Sequence, residues 1–435
     1  MSDDPAALAE MTPATLRECP GCGLFQTVPA LVPGTSATCG RCGTMLRRAR
    51  HDPLGRGIAL TVGALILLGV LLSNTLMTVQ TFGISLQADL LSGPEELEER
   101  GMSALAAVVV FTTLLAPAGK LLATLYVLIG LRSRRPMRHL RTVFVWAERL
   151  RPWSMIEVFV FGVFVAYVKL GDIVQIGLGP GIYALMMLTF VMIWADSALD
   201  HHAVWEALAR TDGAAGRRDR AASPIFDREH AIGCEVCSLV TIEHEHGASC
   251  PRCHVALHHR KPNSISRTWA LVIAAAILYV PANLYPVLTV VQLGAGAPST
   301  ILGGVEELIS SGMYPLAALV FFASIAIPML KLIGLAIMLV TTQTGRTGWL
   351  RDRTKLYHIV RFVGRWSMID IFMEALLGAL VRFGNAVTIE PGIGAVAFCA
   401  VVILTMLAAE YFDPRLMWDA GETRGAALGE YRLTA

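Results

Sequence analysis

One apolar stretch of twenty residues, with a proline and a lysine at matching places, occurs twice in this chain. Phe111–Gly130 reads FTTLLAPAGKLLATLYVLIG and Phe322–Thr341 reads FASIAIPMLKLIGLAIMLVT, setting Pro117 against Pro328 and Lys120 against Lys331. A helix of about 20 mostly apolar residues crosses the hydrocarbon core of a bilayer, so both stretches point to membrane helices. Further matches keep the same order. RPWSMIEVFVFG from Arg151 matches GRWSMIDIFMEA from Gly364, Gly-Pro-Gly at 179–181 matches Glu-Pro-Gly at 390–392, and Asp200 and Trp205 match Asp413 and Trp418. Such colinear matching marks a duplicated unit. A chain that is 54% hydrophobic and 16% charged is also too apolar for an ordinary soluble protein.

Each copy offers four spans, near 57–79, 103–131, 153–173 and 181–199 in the first, and near 268–291, 313–342, 366–388 and 392–412 in the second. Basic residues set the orientation. The stretch 132–151 holds seven arginines and 343–365 holds five plus Lys355, whereas the opposite loops, 80–102 and 292–312, share only Arg100. Arginine-rich short loops stay on the cytoplasmic side, which predicts a multi-pass inner-membrane protein with both termini cytoplasmic. The segment 138–150 is basic and amphipathic, suited to the inner leaflet or to a solvated loop. The expected fold is an all-α polytopic membrane protein: two tandem four-helix units, each preceded by a small cytoplasmic four-cysteine ribbon. The boundaries are a first ribbon over 1–50, a first unit over 51–205, a linker and second ribbon over 206–265, a second unit over 266–420 and a tail over 421–435.

The cysteines carry the second signal. Cys19, Cys22, Cys39 and Cys42 are spaced C-x2-C-x16-C-x2-C, and Cys234, Cys237, Cys250 and Cys253 are spaced C-x2-C-x12-C-x2-C. Paired knuckles of this kind supply four thiolates tetrahedrally, which suits two structural Zn2+ ions. Disulfides are disfavoured on a reducing cytoplasmic face. Gly21, Gly23, Gly40 and Gly43 suit the tight turns that wrap sulfur around a metal. His244, His246, His254, His258 and His259 crowd the second set as surface residues or substitute ligands, and Cys399 stands alone in an apolar run.

Ionisable residues inside spans are costly and usually face a cavity or a partner. Ser324 and Lys331 lie seven apart, on one helix face, with Pro328 between them leaving the Ser324 carbonyl without its usual donor. Ser367, Asp370 and Glu374 share a face of the next span, and Thr405 lies in the last. The expected polar core is a Lys331–Asp370 pair surrounded by Ser324, Ser367 and Thr405. The first copy repeats the skeleton with Thr113, Lys120, Ser154 and Glu157, and adds Lys169 and Asp172 toward the outer end of its third span. Asn74 and Asn283, late in the first span of each copy, mark either a gate or a helix end.

On these motifs the chain resembles the paraquat-inducible protein A family. The marks are the duplicated cysteine-plus-spans unit, RPWSMIEVF and GRWSMIDIF, PAGK and PMLK, and FDPRLMWD at 412–419. The resemblance implies an inner-membrane protein of double-membraned bacteria that works with a periplasmic MCE-domain tunnel protein and phospholipid. It carries over functional roles to Ser324, Lys331, Ser367, Asp370 and Thr405, with Lys169 and Asp172. The expected activity is lipid transport, with proton movement through the polar core as the coupling. The alternatives are a scaffold that anchors the tunnel and a zinc or redox sensor. A net charge of +2 gives no reason to expect nucleic acid as a partner, and the chain carries no phosphate-binding G-x-x-x-x-G-K-[ST] motif or Ser–His–acid arrangement that would indicate an enzyme.

Overall fold

The computed structural model describes residues 15–81, 84–133, 137–171, 175–211, 231–242, 248–292, 295–380 and 387–421. The first ribbon is two hairpins. β1 (Thr15–Glu18) pairs with β2 (Phe25–Val28), and β3 (Ser36–Thr38) pairs with β4 (Met45–Arg48). A Cys-x-x-Cys knuckle forms the turn of each. Gly23 and Gly43 close these turns with φ of +72° and +79°, so two of the four glycines serve the expected purpose.

The membrane part follows one plan twice. In the first copy α1 (Pro53–Leu72) leads to a hairpin, β5 (Met77–Thr81) and β6 (Ile84–Ala88), and to a short helix α2 (Ser92–Glu99). A long helix α3 (Ser103–Arg132) follows. Next come α4 (Leu140–Leu150), α5 (Ile156–Gly171), strand β7 (Gln175–Leu178), α6 (Pro180–Ala198) and α7 (His201–Thr211). β8 (Ala231–Gly233) and β9 (Val240–Ile242) belong to the second ribbon. The second copy repeats the plan. It runs α8 (Ser264–Leu284), β10 (Leu288–Gln292), β11 (Ala295–Ser299), α9 (Ile301–Ser310), α10 (Tyr314–Gln343), α11 (Leu350–Gly364), α12 (Ile369–Leu380), β12 (Val387–Pro391) and α13 (Ile393–Tyr411).

Two features depart from the all-helical expectation. Loops 80–102 and 292–312 each carry a hairpin and a short helix, and each hairpin is completed by a strand that arrives after the third helix. The antiparallel orders are β6-β5-β7 and β11-β10-β12, with Met77 opposite Ala88 and Leu178, and Leu288 opposite Ser299 and Pro391. The first spans are therefore shorter than expected: 57–79 becomes 53–72 and 268–291 becomes 264–284, the remainder turning into strand. Asn74 and Asn283 each donate to the carbonyl four residues back, of Val70 and Tyr279, at 2.7 and 2.8 Å. Both sit at helix ends, as one of the two readings held.

The second departure is the span count. Eight were expected; among the described residues seven helices are long and apolar enough to cross a membrane, with α4 and α5 forming one run over Leu140–Gly171. The expected span 366–388 contains α12, twelve residues long. At 1.5 Å per residue this described part is about 18 Å long, and residues 381–386 of the expected span lie outside the described residues. Eleven of its residues are buried, Asp370 and Glu374 among them, so protein surrounds its described length on all sides.

α12 is where the copies meet. It packs on α5 and α2 of the first copy. Phe159 and Phe372 meet edge to face at 5.6 Å between centroids. A Cβ on Gly162 would lie 2.8 Å from the Cβ of Phe372, and one on Gly93 would lie 3.1 Å from the Ala375 carbonyl oxygen. Gly162→Leu is therefore expected to push α5 from α12 at a cost of about 1–3 kcal/mol, the usual penalty for overpacking. Thermal unfolding in detergent measures this, with Gly171→Leu as the control because a Cβ there meets nothing.

The long helices α3 and α10 each contain a π-helical turn, at Phe111–Leu115 and Phe322–Ala326. Pro117 and Pro328 follow immediately. Proline offers no N–H to the carbonyl four residues back, so the ladder is interrupted there and the helix widens. The interruption expected at Pro328 thus takes the form of a π-helical turn, and it occurs in both copies.

The ribbons cross over. Val28, Leu31 and Leu46 of the first ribbon share a core with Tyr357, Val360, Ala408, Phe412 and Trp418 of the second copy. Ile232 and Leu257 of the second ribbon share one with Val127, Leu128, Phe144, Val204 and Trp205 of the first copy. Each ribbon thus packs under the other copy's helices, although linear order places it before its own.

Candidate functional site

The π turn of α10 aims the Ser324 side chain at α12. The Ser324 hydroxyl contacts the carbonyl of Val320 at 2.7 Å and lies against Asp370 Oδ2. Ser324, Asp370, Glu374 and Lys169 line one small cavity of about 40 Å³, walled toward the sheet by Leu288, Ser299 and Thr300. Ser324, Asp370 and Glu374 are all buried, and Glu374 Oε2 has no hydrogen-bond partner among the described residues. Two carboxylates and one ammonium leave this cavity one negative charge in excess, the condition under which a carboxylate takes up a proton or a cation.

The expected Lys331–Asp370 pair does not form. Lys331 Nζ donates instead to Thr405 Oγ1 at 2.9 Å, and Thr405 in turn donates to the Val402 carbonyl at 3.0 Å. Lys331 lies seven residues beyond Ser324, which places it about 10 Å further along the helix. Asp370 stands level with Ser324, so the lysine lies too deep to reach it. Ser367 is buried with its hydroxyl unpartnered. The core therefore has two layers: Ser324, Asp370, Glu374 and Lys169 at the sheet end, and Lys331 with Thr405 below. Lys169 was expected toward the outer end of its own span; it reaches the second copy's acids because α5 packs on α12. Asp172 lies outside the described residues, as do its counterpart region Arg382 and Asn385 and the histidines His244 and His246.

The first copy's counterparts are not gathered. Lys120 pairs with Asp196 of α6 at 2.7 Å, a partner the repeat alignment does not supply. Glu157 pairs with Arg365 across the copies at 3.3 Å. The Ser154 hydroxyl is buried and makes no hydrogen bond among the described residues.

The cysteines form two tight clusters, each with all four sulfur atoms within 4.8 Å of one another. The Sγ–Sγ distances are 3.5 and 3.6 Å in the first and 3.4 and 3.5 Å in the second. All eight cysteines are free and buried. Four thiolates about 2.3 Å from a central ion would stand somewhat under 4 Å apart, so the donor sets fit a tetrahedral metal. The clusters are complete without histidine, and Ser238 and His254 take the left-handed turn positions that Gly23 and Gly43 hold in the first ribbon.

A family model described as Paraquat-inducible protein A matches residues 54–209 and again 265–422, once on each copy. The chain belongs to the paraquat-inducible protein A family. It is 35% identical over 404 residues to the intermembrane transport protein PqiA of Escherichia coli K12, covering 92% of this chain and 95% of that one. It is 30% identical over 421 residues to the lipophilic envelope-spanning tunnel protein A of the same organism, covering 97% and 95%. It is 26% identical over 417 residues to a probable intermembrane transport protein of Haemophilus influenzae, covering 93% and 96%. No solved structure matches the chain significantly. The seven apolar helices and these envelope-transport relatives fit an inner-membrane protein.

In this family member a buried ionic network, which the sequence reading missed, ties the ribbons to the second copy. Arg415, just after α13, donates to Asp413 at 2.9 Å, to Glu18 at 3.1 Å and to Glu235 at 2.6 Å. Glu18 also accepts from Arg260 at 3.0 Å and from the Gly233 backbone N–H at 2.9 Å. Glu18 precedes Cys19 and Gly233 precedes Cys234, so the network joins both knuckles. Burial alone would raise the Asp413 carboxyl, but the Arg415 hydrogen bonds and charge outweigh it and hold the group below the usual carboxylate range. Arg415→Met is expected to destabilise the fold by about 3–5 kcal/mol, because it leaves buried carboxylates uncompensated. A carboxyl held below its unfolded value adds stability above that value and loses it as pH falls through the folded one. The difference in melting temperature between the two proteins should therefore be full at neutral pH and close below about pH 4.

Proposed function

We propose that this chain is the inner-membrane subunit of an intermembrane lipid transport system. It moves phospholipid into or out of a tunnel formed by a periplasmic MCE-domain protein. The relatives' names support transport between membranes, and the arginine-rich loops support ribbons in the cytoplasm with the two small sheets at the periplasmic face. The observation that carries the reading is the cavity beneath the second sheet, where Lys169 of one copy meets Ser324, Asp370 and Glu374 of the other. A structural ion pair would be balanced within itself. This cavity holds an excess carboxylate at the seam between two packed repeats, the arrangement in which uptake of a proton changes how the repeats attract one another. In this reading Asp370 and Glu374 take and release the proton. Ser324, Ser367, Lys331 and Thr405 orient the helices around them, and Zn2+ fills both four-cysteine sites as structural ions.

The test is transfer of isotope-labelled phospholipid between inner and outer membranes in a strain whose only copy carries Ser324→Ala or Lys331→Ala. Slowed transfer at normal protein abundance is the expected result. Unchanged transfer would favour a scaffold that anchors the tunnel and moves nothing itself.

A further inference from the structure

A larger cavity, of about 590 Å³, lies on the ribbon side, away from the polar core. It opens where the two copies and both ribbons converge. Trp153 of the first copy and Met406 and Leu407 of α13 form an apolar wall, and Arg149, Glu235 and Lys261 line the ribbon end. The helices flanking it, α4 and α11, expose large apolar side chains: Trp146, Ile359 and Phe362 are each more than half exposed. Basic amphipathic helices with such faces lie in the plane of a membrane interface. The cavity thus has an apolar wall beside these faces and a polar end at the ribbons, and its size falls in the range of small-ligand sites.

Its charges select the ligand. The Arg149 guanidinium is exposed, stacks over Trp146 at 5.7 Å and makes no hydrogen bond or ion pair among the described residues. Arg361 is held in a two-pronged pair by Glu410, and Arg415 is held by Asp413 and Glu18. Glu235 spends one oxygen on Arg415, while its side chain stays 42% exposed and its second oxygen makes no hydrogen bond among the described residues. The lining holds five carboxylates against four Lys and Arg side chains. An anion would find one free guanidinium inside a lining that is negative overall. A headgroup that carries its own ammonium beside its phosphate satisfies both free groups.

We propose that this seam cavity is a second lipid site. It takes the headgroup of a zwitterionic phospholipid from the ribbon-side leaflet, with the phosphate on Arg149 and the ammonium on Glu235. The acyl chains remain in the bilayer along Trp153, Met406 and Leu407. The inference deepens the lipid-transport reading and rests on it, and it supplies a leaflet entry on the side of the protein away from the polar cavity.

The experiment places a photoreactive p-benzoylphenylalanine at Leu407 of the full-length protein in nanodiscs of phosphatidylethanolamine and phosphatidylglycerol, and identifies adducts by mass spectrometry. Phe190, which faces outward at 65% exposure, reports bulk lipid. Expected is enrichment of phosphatidylethanolamine at Leu407 by roughly tenfold over Phe190, the scale of one good charged contact. Arg149→Ala and Glu235→Gln should each reduce the enrichment, with Arg149→Lys retaining part of it, and millimolar inorganic phosphate should leave it unchanged. Bulk composition at Leu407, or enrichment indifferent to both substitutions, overturns the proposal. Displacement by phosphate also overturns it, in favour of a soluble-phosphate site. Transfer of labelled phospholipid between the two membranes separates the two readings. Transfer that needs this protein, with bulk composition at Leu407, sinks this site alone, and transfer unchanged by loss of the protein sinks the transport reading as well.

Discussion

Asp370→Asn is expected to reduce envelope function to that of a strain lacking the protein, with the variant present in the membrane at normal level. Asparagine has the same shape as aspartate and still offers an oxygen to the Ser324 hydroxyl, so the packing of α12 against α5 and α10 is preserved. The change removes one of the two negative charges that face Lys169. If Asp370 served only to hold the bundle together, the substitution would be mild, since replacing a buried charge by a neutral group of equal size is often tolerated. A proton-linked element has no such tolerance, because asparagine cannot exchange the proton. Complementation under envelope stress, with immunoblots of membrane fractions, separates these outcomes. Growth equal to wild type at equal abundance would remove the polar cavity from the mechanism. Lys169→Met is expected to act in the same direction despite lying in the other copy, because it lines the same cavity.

Loss of a metal cluster is expected to loosen the copy that follows from packing, not the one that follows in sequence. A structural zinc site in a small domain holds roughly 10–16 kcal/mol of its folding free energy, so one lost thiolate should unfold the ribbon. Cys39→Ser should raise hydrogen exchange in α11 of the second copy more than in α4 of the first, because the first ribbon shares its core with Tyr357 and Val360. Cys250→Ser should do the reverse, because the second ribbon shares its core with Phe144. The intact protein should carry two zinc ions per chain by elemental analysis. Equal loosening of both copies in either variant would contradict the crossed packing.

The duplication, the zinc-type spacings and most helix positions were legible in the sequence because each rests on a local rule. Span length follows from bilayer thickness, ligand spacing from tetrahedral geometry, and the helix interruption from the missing N–H of Pro117 and Pro328. The paired strands were not read, because MTVQT and LTVVQ are short and each pairs with residues nearly a hundred positions away. A hydrophobic run over 366–388 gave no sign that α12 stays inside: apolar residues facing lipid and apolar residues facing protein look alike in a pattern.

The sequence by itself also marked Ser324, Lys331, Asp370 and Lys169 as unusual, since ionisable and polar groups inside spans stand out wherever they occur. Which of them meet was decided only in three dimensions. The helical rise carries Lys331 past Asp370 to Thr405, and close approach at Gly162 brings Lys169 to the second copy's acids. The crossing of the ribbons was likewise fixed by tertiary structure: Leu46 shares its core with Tyr357 of the second copy, and Ile232 shares its core with Phe144 of the first. Local chemistry is written along the chain; the partnership between copies depends on contacts hundreds of residues apart, which no local pattern encodes.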